Sequence, residues 1–340
     1  MTQPSENLVI DAEVESNDGG YRQAPDEGAR RSRSRGRLIF RRFLRNRLAV
    51  VALILFIAMF AWSFIGPHFN ATFKGDAHCT PAVTPGLPGY DHTCMWDYKQ
   101  NDFSSFSDGP SSKHYFGTTQ SGQDVYAQLL RGMQKSMVIG LLAAVMTTAI
   151  ASVVGSAAAY FGGFVDRILM WFVDMLLVVP GFLIIAILSP LFQGSTWLLL
   201  VVLIAIFAWM VTARAIRSQT LSLREREYVS AARYMGVRPA RIIARHVLPN
   251  IASYLIVDVT LNVGGAIITE VSLSYFGFGI QSPDVSLGTL LQAGQDKATT
   301  AWWLFAFCGG ALTLIVLCVN FVGDGLRDAF DPGSATSRAR

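Results

Sequence analysis

Three carboxylates interrupt stretches otherwise apolar enough to lie in a bilayer: Asp174, Asp258 and Glu270. A charge at that depth costs about 2.5–3.5 kcal/mol even on lenient insertion scales, so such residues mark either function or a paired contact between helices. Asp174 and Glu270 are the deepest, and Asp258 sits nearer one end of its stretch. With Pro180, which must kink the stretch that holds it, they form the candidate set for gating or for a translocation path. A membrane-embedded enzyme would draw on Asp174, Glu270 or His114. The sequence gives that chemistry no frame, because it contains neither H-E-x-x-H nor G-x-S-x-G, and no metal-ligand spacing. It also has no G-x-x-x-x-G-K-[ST] loop to cradle a nucleotide phosphate. Asn262 and Asn320 read as hydrogen-bonding groups between helices, and His246 as a loop residue. Cys79 and Cys94 share one polar loop and can form a disulfide if that loop faces an oxidising compartment. Cys308 and Cys318 lie in an apolar stretch and read as packing.

The second candidate is a polar stretch, 222–250 (SLREREYVSAARYMGVRPARIIARHVLPN), set between apolar ones. Ser222 and Glu225 have capping-box spacing, which predicts a helix from about 223. Tyr228, Ala231, Ala232 and Met235 fall at i, i+3, i+4 and i+7 and form one small or apolar face. Gly236 suits the left-handed residue that ends a helix, and Pro239 the first turn of the next. Ile242, Ile243 and Val247 give that second helix its apolar side, and Pro249 marks the junction with the following stretch. Paired alanines favour close approach of another protein, whereas the arginines alone would fit anionic headgroups.

These residues need a frame, and the composition supplies one. Of 340 residues, 51% are hydrophobic and 15% charged, with mean hydropathy +0.38; soluble domains carry about a quarter charged residues. Spans of roughly 20 residues are predicted at 48–66, 133–161, 168–190, 197–215, 251–276 and 302–322. The first is expected to end at Pro67. The second is rich in small residues (GLLAAVMTTAIASVVGSAAAYFGG), which lets helices approach closely in a membrane. A turn at 162–167 separates the second and third. Nine arginines and no acidic residue lie between Arg30 and Arg47, and eight arginines face two glutamates over 214–249. The loop 67–131 instead holds six aspartates and three lysines. Six spans with both basic segments in the cytoplasm satisfy the positive-inside rule, so both termini are expected inside, nucleic acid is not an expected partner, and the lipid bilayer is. The expected division is a partly disordered arginine-rich tail, 1–47; a first helix, 48–66; an extracytoplasmic loop, 67–131; a five-helix core, 132–326, carrying the cytoplasmic loop 216–250; and a tail, 327–340. No apolar segment near Met1 resembles a cleaved signal. Trp197, Trp302 and Trp303 read as anchors at the outer interface.

SAARYMG followed by ARHVLPN resembles the E-A-A-x3-G-x9-I-x-L-P loop of integral-membrane subunits of binding-protein-dependent ABC importers. Ala231, Ala232, Gly236, Leu248 and Pro249 match in register; Ser230 stands where the family has glutamate and His246 where it has isoleucine. RRFLRNRLAVVAL (41–53), HYFGTTQSGQDVYAQLLRGMQKSMVIG (114–140), TEVSLSYFGFGIQSPDVSLGTLL (269–291) and GDGLRDAFDP (323–332) are similar, in the same order, to segments of the C-type subunit of dipeptide and oligopeptide permeases. The resemblance covers about 37–332. It implies an all-α, six-helix integral membrane subunit of the type I ABC importer (MetI-like) fold, in a bacterial plasma membrane.

The resemblance also implies roles. The first short helix would dock in a cleft of an ATPase subunit, with Tyr228, Ser230, Ala231, Ala232, Arg233, Met235 and Gly236 at the contact and Leu248 and Pro249 linking it to the fifth span. The chain would carry no cofactor, with ATP and Mg held by two partner ATPase subunits or domains. Its other partners would be a second homologous permease subunit, forming a heterodimer, and an extracytoplasmic solute-binding protein. The implied cargo is di- or oligopeptides, although relatives on the same scaffold carry nickel, haem or glutathione. A stand-alone secondary carrier would show inverted repeats, and no convincing repeat is visible.

Overall fold

The computed structural model describes residues 35–73, 98–99, 101–102, 105–112, 114–189, 197–281, 284–295 and 297–330. The acidic amino-terminal tail, the last ten residues and the Cys79–Cys94 pair lie outside the described residues. Among the described residues the regular structure is helical: α1 Arg35–Arg45, α2 Arg47–Phe73, α3 Val125–Phe161, α4 Gly163–Val178, α5 Gly181–Leu188, α6 Trp197–Arg224, α7 Glu227–Tyr234, α8 Pro239–Ile242, α9 Ala252–Tyr275, α10 Leu287–Gln295 and α11 Trp302–Phe330. Among the described residues five helices are long and apolar enough to cross a membrane, and α4 with α5, bent by 74°, makes a sixth when the pair is taken as one broken span.

The centre is α3, packed along α6 and α9. Its small residues explain why. Ala143, Ala144, Ala151, Ala158 and Ala159 are fully buried, and a Cβ on Gly155 would lie 2.4 Å from the Ala213 carbonyl of α6. The two backbones therefore approach more closely than any side chain permits, the way apolar helices associate without a hydrophobic driving force from solvent. On the other side, Met133, Met137 and Ala144 meet Val263, Ile267 and Val271 of α9, with Cys308, Ile315 and Val319 of α11 completing the layer. α2 lies outside this layer. Ala49 and Ala52 of α2 join Phe43 of α1 against Cys318, Val322 and Ala329 of α11. Cys308 and Cys318 are thus free, buried packing groups.

Several boundaries differ from the sequence reading. α2 does not stop at Pro67 but runs through it to Phe73. A proline removes one backbone donor and bends a helix without having to end it, and membrane helices tolerate this. α3 begins at Val125, eight residues early, because Asp124 caps it by accepting from Ala127 N at 3.0 Å. Its polar first turns are paired: Gln128 donates to Gln123 at 2.6 Å, and Lys135 meets Asp284 at 2.7 Å. The loop 67–131 accordingly loses its last seven residues to the core. The turn expected over 162–167 reduces to Gly162, with Gly163 already opening α4, and both are at positive φ. α11 runs to Phe330, past both the expected end at 322 and the core boundary at 326, because Ala329 packs under Phe43 of α1. α1 and α10 were not expected as helices. α10 buries Leu287, Leu290, Leu291 and Gly294 against α9 and α11.

Candidate functional site

The polar stretch after α6 folds into a compact knob. α6 continues to Arg224, so the helix predicted from 223 instead starts at Glu227, with Arg226 as its extended N-cap. The Ser222–Glu225 spacing fails as a cap because both residues lie on or beside the last turn of α6, which the packing of Ile216 and Thr220 prolongs. α7 ends in a Schellman arrangement: Gly236 N donates to Arg233 O at 3.0 Å and Val237 N to Ala232 O at 3.2 Å. Gly236 has φ +74°, where a Cβ is penalised by about 1–2 kcal/mol. Pro239 opens α8 at its first turn. The chain then widens through a π turn, Ile243–Val247, and tightens through a 3-10 turn, Leu248–Asn250, that contains Pro249, before α9 begins.

The knob has two faces. Val229, Ala232 and Ile242 are buried with Tyr160 of α3, and Val237 and Ile243 pack against them. Ala232 is therefore an inward packing residue, which corrects its place beside Ala231 on one outward face; one residue of offset rotates a side chain by 100°. Tyr228, Ala231, Arg233 and Met235 stay outside, and Ser230 is half-buried. Tyr234 is 91% exposed and Met235 75%. Tyr234 was absent from the sequence candidates, although it lies one turn beyond Ala231. Arg224 fastens the knob to α3 by donating to Ala159 O at 3.0 Å. The Tyr228 and His246 rings lie 6.4 Å apart, so the two halves of the knob are in contact. Leu248 packs in the cluster holding Trp209, Met210, Ile216 and Ile251, which couples the knob to α6 and α9.

The three intramembrane carboxylates have separate partners. Glu270 is fully buried and accepts from Ser136 Oγ at 2.6 Å and Ser274 Oγ at 2.7 Å, tying α3 to α9. Those serines also accept from Leu287 N at 3.3 Å and Ile280 N at 3.1 Å, so the same junction holds the segment after α9. Asp258 accepts from Thr148 of α3 at 2.7 Å, Thr212 of α6 at 3.1 Å and Asn262 of its own helix at 2.9 Å. Asp174 instead pairs with Arg214 of α6, and both side chains are more than half exposed. Pro180 is the N-cap of α5, where the preceding Val179 is extended (φ −83°, ψ 123°) and the span bends.

At the opposite end of α3, His114 is buried between Asp124 (Nδ1 to Oδ2, 2.7 Å) and Asp102 (Nε2 to Oδ2, 3.3 Å). It fastens the preceding loop to the α3 cap. His114, Asp174 and Glu270 thus engage different groups and do not assemble a catalytic set. Nearby, Asp284 meets Lys135 and Arg131. Partial burial disfavours its charge, but the two cations outweigh this and hold its carboxyl below the usual range. Asp284 also lines a cavity of about 630 Å³, with Tyr98, Lys99, Gln120, Gln123 and Thr289 among the other lining residues.

The family model described as the N-terminal TM domain of oligopeptide transport permease C matches residues 34–78. The oligopeptide transport system permease protein OppC of Mycobacterium tuberculosis (strain H37Rv) is 48% identical over 306 residues, 90% of this chain and 97% of that protein. OppC of Haemophilus influenzae is 33% identical over 294 residues, 86% of each chain. Among solved structures, an inward-facing form of the MetNI methionine ABC transporter aligns at TM-score 0.48 and 18% identity, over 60% of this chain and 96% of that one. Residues 151–335, which include the bent span, the knob and the last two crossings, match the model of the binding-protein-dependent transport system inner membrane component; the chain belongs to that family.

Proposed function

We propose that this chain is a membrane-spanning subunit of an ATP-driven importer that carries di- or oligopeptides into a bacterial cell across the inner membrane. The observation that carries the reading is the 48% identity to an oligopeptide permease over nearly that protein's whole length, and the knob gives it a mechanism. Tyr228, Ala231, Arg233, Tyr234 and Met235 form the surface that enters an ATPase cleft, with Ser230 at its edge and Gly236 setting the end of α7. Leu248 and Pro249 transmit its displacement into α6 and α9. The chain performs no covalent chemistry itself. ATP and Mg are held by two separate ATPase subunits, a second homologous permease completes a heterodimer, and an extracytoplasmic protein delivers the solute. The knob and both termini face the cytoplasm.

Tyrosine is enriched among the few residues that carry most of an interface's binding energy. Tyr234→Ala and Ala231→Arg are therefore expected to lower ATP-driven uptake of a labelled tripeptide ~10-fold or more, the equivalent of ~1.4 kcal/mol in docking, while the subunit still inserts and its ATPase partner no longer co-purifies. Undiminished uptake by both variants would refute this coupling surface.

A further inference from the structure

α1 packs on α11 and α2 and belongs neither to the knob nor to the layer around α3. Its 11 residues, RGRLIFRRFLR, include five arginines and no acid. Asn46 separates it from α2 and restarts the helix, its Oδ1 accepting from Ala49 N at 3.4 Å and its carbonyl from Val50 N at 3.1 Å. At about 100° per residue, α1 from Ile39 onward has three sides. Ile39 and Phe43 pack inward in the cluster that holds Leu326 and Ala329 of α11. Next round the helix are Phe40 and Leu44, 63% and 50% exposed. Arg41 and Arg45, also exposed, lie opposite Phe43, and the exposed Arg42 flanks it.

Two observations say what meets these outer sides. The exposed apolar side carries on into α2 at Leu48, Val51 and Leu55, with the same spacing of three or four residues. On a spanning helix such a side meets lipid. The arginines meet no acid. Around the knob, Arg214, Arg217 and Arg224 each pair with a carboxylate. Among the described residues none of Arg41, Arg42, Arg45 and Arg47 does so, although Asp324 and Asp328 stand on the neighbouring end of α11. Arg41 is at most about 9 Å along the chain from Arg47, where the first span begins. That distance matches the headgroup layer, which adds about 5–8 Å to each side of the hydrocarbon.

We infer that α1 is an interfacial anchor that binds anionic phospholipid headgroups. Phe40 and Leu44 enter the acyl boundary, and Arg41, Arg42 and Arg45 gather the negative charge above it. Arginines on one side of a helix, with Phe and Leu on the next, suit a helix lying in that plane. That the leaflet is the cytoplasmic one rests on the import reading above. The anchor reaches the core through Ala49 of α2, which sits so close to Gly325 that a Cβ there would come within 2.2 Å of it. Headgroups that hold α1 therefore also hold the end of α11.

The test uses the complete importer in lipid vesicles, in a background where native cysteines are replaced. A bimane label on Phe40→Cys should be quenched by lipids carrying a doxyl group high on the acyl chain. Doxyl-phosphatidylglycerol should quench it about fivefold more than doxyl-phosphatidylcholine, as for one arginine held near an anionic surface. Arg41→Gln combined with Arg45→Gln should bring that ratio to about one, whereas the two lysine replacements should keep it, because the attraction is to charge. These positions are exposed, so the inward packing of Ile39 and Phe43 is untouched. Equal quenching by the two lipids, or an unchanged ratio in the double glutamine variant, would overturn the headgroup assignment. Quenching by neither lipid would overturn the anchor and show that a partner subunit covers α1. If Arg45→Cys reacts with an impermeant thiol reagent only in right-side-out vesicles while the ratio holds, the cytoplasmic reading fails and the lipid site stands.

Discussion

At the residue scale, the intramembrane carboxylates show how similar sequence signals separate once partners are known. All three interrupt apolar stretches, and the sequence marks them alike. Glu270 and Asp258 prove to be junctions satisfied by hydroxyls and an amide, with no cation among the partners described. Asp174 alone meets an arginine and stays exposed. A buried carboxylate without a cation is held by its hydrogen bonds, and removing it strands the donors. Glu270→Ala should therefore destabilise the subunit by about 3 kcal/mol or more, from two orphaned serine hydroxyls and a cavity. Glu270→Gln keeps the shape and an acceptor, while the hydroxyls can rotate, so it should cost under half as much. Thermal unfolding of the purified importer reads the difference. Similar losses in both variants would show that the negative charge, not the hydrogen-bonded junction, is what matters. None of this ranking was legible beforehand, because Ser136 and Glu270 are 134 positions apart in the chain.

At the element scale, the sequence marked the spanning helices, missed α1 and α10, and misplaced several ends. Hydrophobic windows measure the apolar thickness of a span, whereas a helix continues for as long as its polar turns find partners. That is why α3 starts at Val125 and α11 ends at Phe330. The knob shows the same limit. Gly236 and Pro239 were readable because each acts through its own backbone. The inward packing of Ala232 is against Tyr160, which is distant in sequence. The small-residue character of α3 was also plain, and the structure gives it a value: the backbone of Gly155 approaches Ala213 too closely for any Cβ. Gly155→Leu should force α3 and α6 apart at the level of Ala213 and Ile216. A loss of 1–3 kcal/mol, usual for overpacking, is the least expected. Cross-linking between cysteines placed at Ala151 and Ala213, neighbours in one buried cluster, should fall in this variant. Unaltered cross-linking would mean that the seam accommodates a side chain and that its tightness is incidental.

At the scale of the whole molecule, Phe43 of α1 and Ala329 near the end of α11 share one buried cluster, so these two ends lie on one side, as six spans would place them. We infer which side this is from charge. The arginines before α2 and around the knob outnumber their acidic neighbours, while the loop at the far end of α3 is rich in aspartate. The prediction is strict because the two ends carry exposed reporters that do not share a surface: Met235 on α7, and Phe106 in the loop that His114 pins to the α3 cap. In a cysteine-free background, Met235→Cys should react with an impermeant thiol reagent only in inside-out vesicles, and Phe106→Cys only in right-side-out ones. Addition of the ATPase subunits should then shield Met235→Cys and leave Phe106→Cys unchanged. The reverse sidedness would break the charge argument and the docking role together, since an ATPase fed by cytoplasmic ATP could not reach the knob. Correct sidedness without shielding would keep the topology and remove Met235 from the contact, leaving Tyr228, Ala231 and Tyr234 to carry it.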